Sequence, residues 1–141
     1  MNVLIDTNIL LDDILRRDPN AETAKKITQL VVEQRVIGHI TANTITDIFY
    51  IVSKNCDKAI AREVVKNLLE TFVVISVSGQ DCIAALGLPL SDFEDALVVV
   101  CASNAYLENI VTNDKVFLKQ EGLSVPAISP TDFLLKFERY S

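Results

Sequence analysis

Asp92, Glu94 and Asp95 put three carboxylates within four positions, directly ahead of the apolar run Ala96-Leu97-Val98-Val99-Val100-Cys101-Ala102. A helix that is apolar all round is a buried one. Carboxylates leaving water must meet a cation or hydrogen-bond donors. Ser91 and Glu94 have the spacing of a capping box, which accounts for Glu94. Asp92 and Asp95 then share one helix face at the mouth of a buried element, and such a pair is half of an oxygen-only metal site. The plainer reading is that acids in a first turn offset the helix dipole, by roughly 0.3–1 kcal/mol each. Whether other acids gather at the same place decides between the two.

Three do. Asp6 follows directly on the apolar run Asn2 to Ile5, and Asp114 comes two residues after the run Asn109 to Thr112. Asp47 falls early in a helix after Val36 to Thr41, away from that helix's apolar stripe of Ile45, Ile48, Phe49 and Val52. Each has an ordinary alternative: Asp6 as a turn residue, Asp114 in an Asx turn, Asp47 in a capping box opened by Thr44. Together they are harder to dismiss, because clustered carboxylates repel and raise one another's pKa until a cation neutralises them. Oxygen donors select Mg²⁺ or Mn²⁺. There is room for two ions about 3.5–4 Å apart, the arrangement that clamps the attacking and leaving oxygens in phosphodiester hydrolysis, or for one ion completed by substrate phosphate. A single histidine, His39, leaves almost no material for histidine-led or zinc chemistry.

These acids need a scaffold that brings them to one place. Apolar runs at Asn2 to Ile5, Val36 to Thr41, Phe72 to Val77, Asn109 to Thr112 and Val125 to Ile128 read as strands. Helical segments separate them: about Ile9 to Leu15, Ala21 to Gln34, a helix capped by Asn43 or Thr44, Ala59 to Thr71, Asp81 to Gly87 and the central helix. A closing helix has Pro130 at its first position. This alternation implies parallel βαβ units with helices on both faces, where ligands bind at the carboxyl ends of the strands. If the first and fourth strands are neighbours, Asp6 and Asp114 lie side by side and Asp92 and Asp95 close over them.

The 141 residues, half of them hydrophobic, fit one domain spanning 1–141. A net charge of −6 argues against a broad basic coat for nucleic acid, but Arg16, Arg17, Lys115 and Lys119 suffice for a small basic rim. No basic leader or membrane-length apolar run is present, and Cys56, Cys82 and Cys101 have no paired spacing and suit small core positions. The expectation is a cytoplasmic protein.

The sequence resembles the PIN-domain nucleases along nearly its full length. Val3-Leu4-Ile5-Asp6-Thr7-Asn8-Ile9-Leu10-Leu11 is similar to the family's first acidic motif and Ile40-Thr41-Ala42-Asn43-Thr44-Ile45-Thr46-Asp47 to its second. Asp92-Phe93-Glu94-Asp95-Ala96-Leu97 resembles the third, Ile110-Val111-Thr112-Asn113-Asp114-Lys115-Val116-Phe117 the fourth, and Ile128 to Leu134 the family's ending. The resemblance implies a three-layer α/β/α sandwich with a mostly parallel sheet of about five strands. It implies Asp6 and Asp95 as main ligands of Mg²⁺ or Mn²⁺, with Asp114 assisting, Asp92 adjacent, and Asn8 and Thr112 orienting carboxylates or substrate. It further implies hydrolysis of RNA by water that the ion makes acidic, with Asp6, Asp47, Asp95 and Asp114 as the catalytic acids. A toxin of the VapBC type is the best-known form: commonly a homodimer, silenced by a small antitoxin protein. Two positions depart from the pattern. Asp47 stands where glutamate is usual, and Val116 where a further aspartate is frequent.

Three competing readings remain. A catalytically quiet PIN fold serving as an RNA- or protein-binding module is motivated by Asp47. A receiver-like phosphorylation domain needs an aspartate at the end of the third strand, which Phe72 to Val77 does not supply. A phosphatase using Asp6 as nucleophile wants a second acid where Asn8 stands.

Overall fold

Val3, Leu4 and Ile5 are all fully buried, a continuous apolar run of the kind a strand shows when both faces of its sheet are covered. In the computed structural model, which describes residues 1–140, these residues form β1 (Asn2–Ile5) at the centre of a five-stranded sheet. The other strands are β2 (Ile37–Thr41), β3 (Val73–Ile75), β4 (Asn109–Val111) and β5 (Ala127–Ile128), in the spatial order β3-β2-β1-β4-β5. Every pairing is parallel. β1 therefore has β2 on one side and β4 on the other, and the order reverses there.

The helices are α1 (Thr7–Ile14), α2 (Ala21–Val32), α3 (Ala42–Asn55), α4 (Lys58–Thr71), α5 (Gly79–Leu86), α6 (Phe93–Asn104), α7 (Lys115–Leu118) and α8 (Pro130–Tyr140). Alternate residues of β1 face opposite layers. Val3 and Ile5 join the core made with α1, α2, α3, α4 and α8. Leu4 joins the core made with α6, Phe117 and Val125. The result is the three-layer sandwich, with a sheet that is wholly parallel. Gly38 on β2 marks a close approach between layers: a Cβ there would lie 2.9 Å from both Phe72 and Val31.

Several local readings need correcting. Helix α6 begins at Phe93, so Asp92 is its N-cap and Ser91 lies outside it. The Asp92-x-x-Asp95 spacing, not Ser91-x-x-Glu94, places the first turn. Helix α3 begins at Ala42 with Thr41 as its cap, two or three residues earlier than Asn43 or Thr44. Strands β3 and β5 are shorter than their apolar runs, because a parallel strand lasts only as long as it has a ladder partner. The short helix α7 has no counterpart in the sequence reading. Four residues are too few for a periodic signal, and Asp114 caps it. Cys101 is buried, as a small core residue should be, but Cys82 is half-buried and Cys56 exposed. Cys56 follows the last residue of α3, at a turn that no layer covers.

Candidate active site at the carboxyl edge of the sheet

The acidic segments after β1, β2 and β4 meet the start of α6 at one edge because β2 and β4 both flank β1 in parallel. Asp6 donates its backbone N–H to the Val111 carbonyl at 2.9 Å, which fixes the end of β1 against the end of β4. Its Oδ1 accepts the Thr7 N–H at 2.9 Å and caps α1. Its Oδ2 accepts the Thr112 hydroxyl at 2.7 Å and the Asn8 amide at 3.2 Å. Asn8 and Thr112, the residues expected to orient carboxylates, thus both hold Asp6. Thr112 is fully buried, and its hydroxyl oxygen also accepts the Asp114 N–H at 3.1 Å.

Asp114 and Asp92 are helix caps as well. Asp114 Oδ1 accepts the N–H groups of Val116 at 2.9 Å and Phe117 at 3.2 Å at the start of α7. Asp92 Oδ1 accepts the Asp95 N–H at 3.0 Å. The ordinary and the chemical readings of these acids are therefore compatible. A cap engages one carboxylate oxygen and leaves the other for a ligand.

The electrostatics show which acids face one another. Burial, then Asp92, Asp6, Asp114 and Glu94, push the Asp95 carboxyl up to about 7. Asp6 is also raised, by burial first and by Asp114, against the lowering effect of its bonds from Thr112, Thr7 and Asn8. Glu94 is raised by burial and by the charge of Asp47, Asp6 and Asp92. Asp47 lies half-buried in the second turn of α3.

Glu94, set aside as a capping residue in the sequence, therefore belongs to the acidic cluster. The Asp92-x-x-Asp95 spacing was the available signal, because it releases Glu94 from the cap. A chain of hydroxyls also went unforeseen. Thr7 and Thr44 lie 2.8 Å apart and Thr44 lies 3.3 Å from Thr41, joining the first residue of α1 to the helix that carries Asp47. Nothing in their spacing marks them.

The donors match a hard cation in kind, since all are oxygens and their like charge already raises Asp95 and Asp6. In spacing they stand apart: among the described residues no three histidine, cysteine, aspartate or glutamate side chains are close enough to hold one ion. The basic residues divide into two groups. Lys115 and Lys119 are exposed on and just after α7, beside Asp114. Arg16 pairs with Glu22 at 3.6 Å on the surface, and Arg17 donates its Nε to Asp12 at 3.0 Å. Surface hollows of about 550 Å³, between α2 and α8, and about 620 Å³, on α3 and α4, lie away from these acids.

A parallel α/β sandwich with an oxygen-only acidic cluster where its strand order reverses defines the class of domain. The chain belongs to the PIN-domain family, whose model matches residues 2–116. No curated protein matches the sequence. Among solved structures, the VapBC2 complex of Rickettsia felis bound to a promoter DNA fragment contains a chain 17% identical, with a TM-score of 0.66 over 92% of this chain and 98% of that one. A toxin–antitoxin complex from Klebsiella pneumoniae is 22% identical, with a TM-score of 0.66 over 91% and 97%. VapC20 of Mycobacterium tuberculosis, described as a toxin cleaving the sarcin–ricin loop, is 14% identical, with a TM-score of 0.61 over 77% and 86%. At these identities the likeness is one of fold.

Proposed function

We propose that the protein is a metal-dependent endoribonuclease hydrolysing RNA phosphodiester bonds, and the toxin of a toxin–antitoxin pair. The observation that carries this reading is the gathering of Asp6, Asp92, Asp95 and Asp114 at one sheet edge, close enough for like charge to raise Asp95, in a PIN-family chain. The similar fold of a toxin described as cleaving the sarcin–ricin loop supports RNA as the substrate class.

Asp6, Asp95 and Asp114, with Asp92, would supply the protein oxygens for one or two Mg²⁺ or Mn²⁺ ions, with water and substrate phosphate completing the shell that the spacing of the acids leaves open. When bound, the ion makes water acidic and offsets the charge developing on the phosphate. The chain's own groups do the rest. Thr112 and Asn8 hold Asp6 in one orientation, the role that partners of a metal ligand commonly play. Asp95, near 7, sits where a carboxyl changes protonation at neutral pH. Asp47 completes the catalytic acids, linked to the others through Glu94. Lys115 and Lys119 meet RNA phosphates as point charges. Arg16 and Arg17 extend that rim through the donors that Glu22 and Asp12 do not engage.

The rest of the proposal concerns partners and place. A small antitoxin is the expected protein partner, and chains of similar fold occur in toxin–antitoxin complexes. A homodimer is supported by Ile83 and Leu86 on α5, which are 69% and 71% exposed. Cytoplasmic location is supported by three free thiols. Among the described residues no helix is long and apolar enough to cross a membrane.

A second reading, a quiet PIN fold that binds RNA or protein without cutting, is favoured by the spacing of the acids and by Asp47. One experiment separates the two. An end-labelled structured RNA is incubated with purified, folded protein and Mn²⁺ or Mg²⁺, beside a chelator control and Asp95→Asn. Discrete cuts that vanish in both controls establish the nuclease. Intact RNA across a broad set of substrates establishes the binding module.

A further inference from the structure

Asp12 is the only charged side chain in the buried set among the described residues, with 6% exposure. A carboxylate so enclosed needs both oxygens engaged. Its Oδ1 accepts Arg17 Nε at 3.0 Å and its Oδ2 accepts Asn113 Nδ2 at 2.6 Å. Asn113 links β4 to the cap of α7 and immediately precedes Asp114. Its backbone N–H donates to Asn8 Oδ1 at 3.1 Å. Asn8 and Asp12 are one turn apart on α1 and share a face. Helix α1 thus grips Asn113 at two points, backbone and side chain, and the next residue is a site acid.

The end of α1 is built to support that grip. Arg16 is left-handed, with φ 55°, a conformation usually given to glycine. Its N–H donates to the Asp13 carbonyl at 3.3 Å, and the Arg17 N–H to the Asp12 carbonyl at 2.9 Å. These two bonds close a Schellman turn. The turn brings Arg17 back over the residue whose carboxylate it pairs with. Backbone and guanidinium of Arg17 both end on Asp12, 45% of the arginine side chain remaining exposed.

We propose that Asp12 and Asn113 are positioning residues which, braced by Arg17, lock the turn between β4 and α7 and so set the place of Asp114 in the acidic site. The consequence for catalysis rests on the nuclease reading given above; the lock itself does not. Asp114 is held from three sides: through Thr112 to Asp6, through its cap to α7, and through Asn113 to α1. Only the last contact reaches beyond the acidic edge, and so only it can be removed without touching a site acid.

The test uses the full chain and the variant Asn113→Ala, which leaves the Asp12–Arg17 pair and every site acid in place. Amide hydrogen exchange is read by NMR at Asp114, Val116 and Phe117, whose N–H groups report the turn directly. The lock predicts exchange at these amides at least about tenfold faster, with Ile5 and Val111 unchanged and melting temperature near wild type. It predicts kcat on RNA about tenfold lower with KM unchanged, the loss typical of removing a group that orients a metal ligand. In an Asp114→Asn background Asn113→Ala should cost nothing further, since both changes act through one residue. Unchanged exchange at the three amides, or a full additional loss of activity in the double variant, overturns the proposal. An uncut RNA with wild-type protein, alongside faster exchange in Asn113→Ala, overturns the nuclease reading and leaves the lock standing.

Discussion

Asp12 is buried and Asp95 half-buried, both on helices packed against the sheet, and they have opposite surroundings. Asp12 meets an arginine and an asparagine amide, one on each oxygen. Asp95 meets four other acids, and burial together with their charge carries it up to about 7. A satisfied carboxylate is structural and holds its neighbours still. An acid among acids stores repulsion that a cation or a proton must relieve. The difference lies in the partners, and so the two should respond oppositely to removal of charge.

The largest contrast is in activity. Asp95→Asn should lower RNA cleavage by roughly three orders of magnitude, the size of losing a group that stabilises charge at the reacting centre, while raising the melting temperature of the ion-free protein. Cleavage rate and melting temperature in chelator are the paired readouts. Asp12→Ala should instead be destabilising, by about 1.5–3 kcal/mol for its lost charged hydrogen bonds, Arg17 being 45% exposed, while cleavage falls only about tenfold through the freed turn before Asp114. Denaturant unfolding measures the destabilisation. If both variants are destabilised alike, the distinction between the two acids is lost.

Smaller effects sharpen the contrast. Thr112→Val removes a donor to Asp6 Oδ2 and to the turn before Asp114. Mn²⁺ affinity should fall about 10–100-fold, the usual cost of losing a group that orients a ligand, as calorimetric titration would show. The pH dependence follows from the raised carboxyl. Between its ordinary value of 3.8 and about 7 the folded Asp95 holds a proton that the unfolded chain has released. The contribution of this carboxyl to ion-free stability is therefore fully present below about pH 4, is lost as pH rises to about 7, and is absent above it. Thermal melts across this range should show the decline in wild type and a flatter profile in Asp95→Asn. The smallest effect concerns the departure at Asp47. Asp47→Glu restores the side-chain length the family usually has, and cleavage should rise by a few-fold, on the order of 1 kcal/mol or less.

The ease of reading these features from sequence follows their physics. The parallel sheet and its carboxyl-edge acids are legible because they rest on strong local signals, apolar runs punctuated by helices, with an aspartate closely after the first and fourth strands. The adjacency of β1 and β4, on which the gathering of Asp6 and Asp114 depends, is present in the pairing of Leu4 with Ile110. Caps were harder. Ser91 and Asp92 both fit the start of α6, and one residue decides whether Glu94 is a capping side chain or part of the site. The Asp12–Asn113 contact spans 101 positions. Two polar residues in otherwise unremarked places carry no periodic or compositional trace of each other. The bond from Arg17 to Asp12 is equally silent, because nothing local shows that a left-handed Arg16 turns Arg17 back toward α1.

The central claim is that the acids around Asp95 form a cation site whose occupancy is governed by that raised carboxyl. Titrating Mn²⁺ into the full chain by calorimetry at pH 6 and at pH 8, for wild type and Asp95→Asn, tests it most directly. The account predicts binding that strengthens between the two pH values, because the ligand must lose its proton first, and that is absent from the variant. Binding of equal strength at both pH values, or equally strong in Asp95→Asn, would contradict it.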